Sequence, residues 1–259
     1  MDQLTNDTAA SPSRHPILGV GVHDVTEEET VALIAQLLQE GRSAQVATVN
    51  PEFVMAAQHN IAFRETLNSA DLAVPDGIGL IWAGRLLGTP FRGRVPGVEL
   101  TRRLAALCAA HGYGLYLLGA APGVAEEAAE RLQQECPGLT IAGTYAGSPA
   151  PEEEEAIVAR LRAAAPRVVL VAYGAPRQDL WLRRNLPRLG PVVGLGVGGT
   201  FDYISGRVPR APAWMRRIGL EWLYRLLRQP WRWRRMLVLP VFGWRVLAQA
   251  RHRLGEEAP

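Results

Sequence analysis

Lysine is absent from the chain, and all 28 of its basic residues are arginine, a bias that fits the codon usage of a GC-rich genome better than a functional choice. Cysteine is nearly absent. Cys108 and Cys136 have 27 residues between them and no histidine at metal-ligand spacing, which argues against a zinc site and a disulfide framework and fits a reducing cytoplasm. Long apolar runs are missing too: the one near the C-terminus, residues 236–244, is nine residues long and holds Pro240, against the ~20 that a bilayer-spanning helix needs. No G-x-S-x-G, Walker A or D-x-D sequence occurs. The signatures of acyl transfer, of ATP hydrolysis and of an acidic clamp for a nucleotide-bound metal are therefore lacking. Residues 1–14 are polar and lack the apolar stretch of a secretory signal, which predicts a flexible leader and no export.

What remains is a globular composition, 48% hydrophobic and 20% charged, with an uneven charge distribution. Residues 207–253 carry twelve arginines and one acid, Glu221, a balance of +11, whereas the other positions hold 16 basic and 24 acidic residues. An acidic body is joined to a basic tail.

Short β-branched runs alternate with helical patterns through the body. Residues 17–25, 45–50, 70–76, 114–120, 140–145, 167–174 and 191–199 read as strands. Thr26 and Glu29 form a capping box before the first helix, and Pro51 takes a first-turn position in the second. Strands apolar on both faces, with a helix at each crossover, predict an α/β fold with a doubly wound, mostly parallel, Rossmann-like sheet over residues 15–205, followed by a basic helical C-terminal appendage over 206–259. Ligands of such sheets bind at the carboxyl ends of the strands. Thr48, Asn50, Asp76, Gly119, Gly174, Gln178, Gly199 and Asp202 all fall at such ends.

Four motifs carry candidate chemistry. GLGVGG (194–199) matches the dinucleotide fingerprint literally but follows the last strand instead of the first, and its nearest downstream acid past Asp202 is Glu221 in the tail. Either a phosphate approaches this backbone, or the glycines permit close packing at a strand end. In GAPRQDLWL (174–182), Asp179 can cap a helix, while Gln178 offers donor and acceptor groups suited to a sugar hydroxyl or a diphosphate. Asp76, in VPDGIGL, is either a helix cap or, with Arg94 nearby, half of a pair that deprotonates a hydroxyl while a phosphate departs. The tail holds five of the seven tryptophans among its arginines, with an apolar stripe at Ile218, Trp222, Leu223, Leu226 and Leu227. That pattern fits a helix lying on an anionic membrane, with a nucleic-acid patch or a packed terminal helix as alternatives, and Pro230 is expected to interrupt it.

Taken in order, ATVNPEFVMAA, VPDGIGL, RVPGVEL, LLGAAPG, YGAPRQDLWL, GVGGTFDYISG and RAPAWMRRIGLEWLYRLLRQPWRWRR resemble the WecG/TagA/CpsF glycosyltransferases, glycosyltransferase family 26, from about residue 17 to 235. The resemblance implies an inverting, metal-independent enzyme without cofactor. It would move a sugar, N-acetylmannosamine in the best-described members, from a UDP-sugar donor to N-acetylglucosamine on undecaprenyl diphosphate, in teichoic acid or other surface polysaccharide synthesis. It places the protein peripherally on the inner face of the cell membrane, with no nucleic acid partner, and leaves room for a homo-oligomer. By motif, Asp76 becomes the general base and Arg94 the diphosphate neighbour; Thr48, Asn50 and Gln178 meet the sugars; Asp202 faces the nucleoside; Arg225, Arg232 and Arg235 clamp the lipid diphosphate. The rival is a dinucleotide-binding or nucleic-acid-binding regulatory protein.

Overall fold

The computed structural model describes residues 12–230 and 233–256, so Arg232 and residues 1–11 of the expected leader lie outside the described residues. Six parallel strands form the central sheet: β3 (Ala44–Val49), β4 (Leu72–Pro75), β5 (Leu115–Gly119), β6 (Ile141–Tyr145), β7 (Val168–Ala172) and β8 (Val193–Gly196), in the order β4-β3-β8-β7-β5-β6. The last strand, β8, lies between β3-β4 on one side and β7-β5-β6 on the other, so the chain winds to both sides of it in the doubly wound arrangement expected. Every residue of β3, β4, β5, β7 and β8 is buried, because helices cover both faces.

The helices begin where sequence signals place them. In α1 (Glu27–Glu40), Thr26 accepts from the Glu29 N–H while Glu29 accepts from the Thr26 N–H. Asn50 caps α2 (Pro51–Ala57), and α4 (Ile78–Leu86), α5 (Gly97–His111), α6 (Val124–Glu135), α7 (Pro151–Ala164) and α8 (Arg177–Leu189) follow the predicted pattern. Two short helices lie outside the predicted pattern, α3 (Ile61–Ser69), which Asn60 caps, and α9 (Thr200–Ile204).

The run at 17–25 is not one strand of the main sheet. Arg14, assigned to the leader, opens β1 (Arg14–Ile17), which pairs antiparallel with β2 (Val20–His23). The two-residue turn between them places Leu18 (φ 48°) and Gly19 (φ 79°) in the left-handed region, the conformation that matches strand twist in a tight hairpin. His23 fastens this hairpin to β4: the Ala73 N–H donates to its Nδ1 at 2.9 Å and Arg14 Nε to its Nε2 at 2.8 Å. Burial, then the neighbouring Arg14 charge, pushes the imidazole down to about 4.

After the sheet the chain forms α10 (Ala213–Arg217), α11 (Glu221–Arg228), α12 (Trp233–Met236) and α13 (Val238–Glu256), with the break at Pro230 where proline predicts one. Helix α13 packs on α2 and α4 and buries Phe242 and Val246 in the core. Among the described residues no helix is long and apolar enough to cross a membrane.

Candidate functional site

A cavity of about 690 Å³ opens at the carboxyl ends of β4, β3, β8 and β7, four neighbouring strands. Thr48, Asn50, Asp76, Arg94, Gly174, Gln178, Gly199, Arg225 and Arg235 all line it. Gly119 and Asp202 do not. Gly119 ends β5, one strand beyond the four, and its bare Cα (φ 101°) lies so close to the Ala172 backbone that a Cβ would stand 2.9 Å from it. Asp202 sits behind Gly199 on α9.

The body side of the cavity is built by backbone exchange between strand ends. The Asp76 N–H donates to Val49 O at 2.6 Å, which sets the β4 turn against β3. Gly77, not Asp76, is the N-cap of α4, with φ 104°, so the capping role is excluded and the carboxylate is released toward the cavity. The Gly97 N–H donates to it. A methyl on Gly97 would lie 3.9 Å from Asp76 Oδ2, 3.9 Å from Thr48 Cγ2 and 3.6 Å from Thr200 Oγ1, so three side chains converge on the first turn of α5. Burial pushes the Asp76 carboxyl up to about 7; Arg94 opposes this, and Glu221 adds to it.

Gln178 is buried and held in one orientation. Its Oε1 accepts from the Gly174 N–H at 3.1 Å and the Gly198 N–H at 2.9 Å, which turns Nε2 toward Gly196 and the Asp179 carboxyl. Thr48 Oγ1 donates to Gly196 O at 3.1 Å, leaving its lone pairs for a ligand. Asn50 spends Oδ1 on the Phe53 N–H and keeps its amide donors. The GLGVGG glycines separate by position. A Cβ on Gly194 would meet Leu182 at 2.6 Å, and one on Gly196 would meet Gln178 at 2.6 Å and Asp179 at 2.8 Å. These two serve helix packing, while Gly198 and Gly199 border the cavity. Asp179 is not a cap either: Pro176 holds the N-cap of α8, and the Asp179 carboxyl is fully buried, pushed up to about 7 by burial.

The appendage makes the opposite wall. Gly219 (φ 78°) packs so tightly on Ile78 that a Cβ would stand 2.7 Å from it. Arg94 Nη2 donates to Arg216 O at 3.2 Å. Arg225 lies over the Tyr203 ring, 5.1 Å from its centroid, and Arg235 pairs with Glu52 at 2.5 Å. Trp82, Leu86, Ile218, Trp222, Leu239 and Phe242 give the cavity an apolar mouth. Local sequence carried no sign of Glu52, Trp82, Tyr203, Arg210 or Glu221, whose places come from tertiary closure alone.

A polar floor of amide, hydroxyl and carboxylate groups, an arginine wall and an apolar mouth suit a ligand with sugar, phosphate and hydrocarbon parts. The model of the WecG/TagA/CpsF glycosyltransferase family matches residues 15–256, body and appendage together. The chain belongs to this family. Among curated relatives of the glycosyltransferase, the protein named "N-acetylglucosaminyldiphosphoundecaprenol N-acetyl-beta-D-mannosaminyltransferase" from Bacillus spizizenii is 34% identical over 232 residues, covering 88% of this chain and 90% of its own. Its namesake from Bacillus subtilis is 33% identical over 210 residues, 81% of each chain. A Staphylococcus aureus protein of the same name is 29% identical over 253 residues, 97% of this chain and 98% of its own.

Proposed function

We propose that this glycosyltransferase moves N-acetylmannosamine from a UDP-sugar to N-acetylglucosamine carried on a polyprenyl diphosphate, at the inner surface of the cell membrane. The observation that carries the reading is Asp76, a carboxylate raised toward neutrality, standing in one cavity with Arg94. A base whose proton affinity lies near working pH is ionised often enough to accept a proton and basic enough to hold it. Asp76 takes the proton of the acceptor hydroxyl, whose oxygen attacks the anomeric carbon from the face opposite the leaving diphosphate. The bond from that carbon to UDP breaks, its electron pair leaves with UDP, and the new glycosidic bond has inverted configuration. Arg94 and Arg225 meet the negative charge that gathers on the phosphate oxygens, a task suited to guanidinium groups and independent of a metal. Gln178 and the Asn50 amide orient the sugars.

The exposed apolar face of the appendage supports the membrane part of the reading. Trp214, Ile218, Leu227, Trp233, Leu237 and Trp244 are all more than half exposed, among arginines that attract anionic lipid. The dinucleotide alternative loses its main support because Gly194 and Gly196 are occupied in packing.

Purified protein with UDP-N-acetylmannosamine and a lipid-diphosphate acceptor is expected to form product in the presence of EDTA, and UDP is expected to raise the melting temperature where NAD does not. Asp76→Asn is expected to cut kcat by ~10²–10⁴-fold with the fold retained. Full transfer by that variant sinks the assignment of the base.

A further inference from the structure

Glu221 is the one acid among the twelve arginines of residues 207–253, and it points inward. It lines the cavity that holds Asp76. Arg210 grips it there, with Nε 3.2 Å from Oε1 and Nη2 3.4 Å from Oε2, and the same guanidinium reaches Glu99 Oε1 at 2.6 Å. Arg216 Nη1 adds a second contact to Glu99 at 3.1 Å. Glu99 stands in the first turn of α5, two residues beyond the Gly97 N–H that Asp76 accepts. The Arg210, Glu221 and Glu99 side chains are only 15%, 25% and 28% exposed, so water screens their charges weakly. Docking on an anionic surface does not call for this acid. Tethering α10 to the body is already served by Arg210 and Arg216 on Glu99.

We propose that Glu221 is a positioning residue of the transfer reaction: the Glu99–Arg210–Glu221 clasp fixes it in the cavity that holds Asp76, so that docking of the appendage brings a second carboxylate to bear on the base. The proposal rests on the reading of Asp76 as that base. A nearby like charge makes it harder for Asp76 to lose its proton, so the carboxylate is a stronger base with the appendage in place than without it. Arg94, ahead of α5, acts in the opposite direction, and Glu99 reinforces Glu221 more weakly. From the appendage wall, Arg225 of α11 is drawn over Tyr203, and Arg235 of α12 is neutralised by Glu52 of α2. With Arg210 shared between two acids, Glu221 and Arg94 are the opposed charges that set Asp76.

Glu221→Gln in the full chain keeps the side-chain size and removes the charge. Carbon NMR of the Asp76 carboxyl, assigned by its loss in Asp76→Asn, is expected to titrate ~0.5–1 pH unit lower in Glu221→Gln than in the parent. The acid limb of kcat/KM should move the same way, and Glu221→Asp should restore both toward the parent. A melting temperature within a few degrees of the parent establishes that the fold is kept. An Asp76 titration identical in the two proteins overturns the proposal while leaving the base assignment intact. Full transfer by Asp76→Asn overturns the base assignment, and with it the catalytic use of the clasp, even where the titration moves.

Discussion

Helices α5 and α11 stand on opposite sides of the cavity, and both combine arginines with an apolar stripe. Their stripes meet different fates. In α5, Leu100, Leu104, Ala105 and Cys108 are wholly buried against the sheet, whereas α11 buries none of its residues and leaves Leu227 70% exposed. Amphipathicity says that a helix has an apolar face to cover without saying what covers it. The body wall is shaped by packing, whereas the appendage wall leaves apolar side chains exposed among its arginines.

Substitutions that exchange the two fates should break this contrast, and the largest effect belongs to the body. Leu104→Ala, at a position with no exposure, should lower the unfolding free energy by ~2–5 kcal/mol in urea titration. An effect as small as a surface substitution would show that α5 is not anchored as described. Next comes Arg225→Gln on the appendage wall, expected to reduce kcat/KM by ~10–100-fold, as loss of a charge-assisted contact worth ~1.5–3 kcal/mol implies, with little change in melting temperature. The third test uses Asp76 as a stability probe. Its proton affinity is raised in the folded protein, so the folded state holds a proton the unfolded chain has released, and stability declines as pH rises from about 4 toward 7. Asp76→Asn removes that decline. It should be more stable than the parent by ~1–2 kcal/mol at pH 8, a value reduced by water in the open cavity, and nearly equal to it at pH 4. The smallest effect on stability is expected for Leu227→Ala, within ~0.5 kcal/mol, yet co-sedimentation with anionic vesicles should fall. Unchanged sedimentation after Leu227, Trp214 and Trp244 are all made polar would sever the appendage from the membrane.

The sequence-to-structure comparison has a similar division. Strand and helix order in the body was legible because burial on both faces of a parallel sheet leaves long apolar runs, and because Thr26, Glu29, Asn50 and Pro51 mark helix starts by local hydrogen bonding. Thr48, Asn50, Asp76 and Gln178 could be placed together from the rule that strand ends share a crevice. That rule does not give strand order, which is why Gly119 was grouped with them although β5 lies one strand too far. The hairpin was missed because its turn begins with Leu18, a residue that seldom adopts a positive φ, ahead of Gly19. Glu52 was missed for another reason: only the arginine that a distant segment brings to it sets it apart.

The contacts between the hairpin and α13 bear on the order in which the site is completed. Leu18 N–H donates to Gln249 Oε1 at 3.0 Å, and Gln249 Nε2 donates to Pro16 O at 3.3 Å, joining the hairpin over β4 to the last helix. Residues 16–18 and residue 249, far apart in sequence, thus meet beside the strand that delivers Asp76. The sheet can gather during synthesis, since domains fold as units while the chain emerges, but the contacts of Gln249 form only after α13 has emerged. A stalled or clipped chain would possess the strand ends and their carboxylate without the wall that faces them.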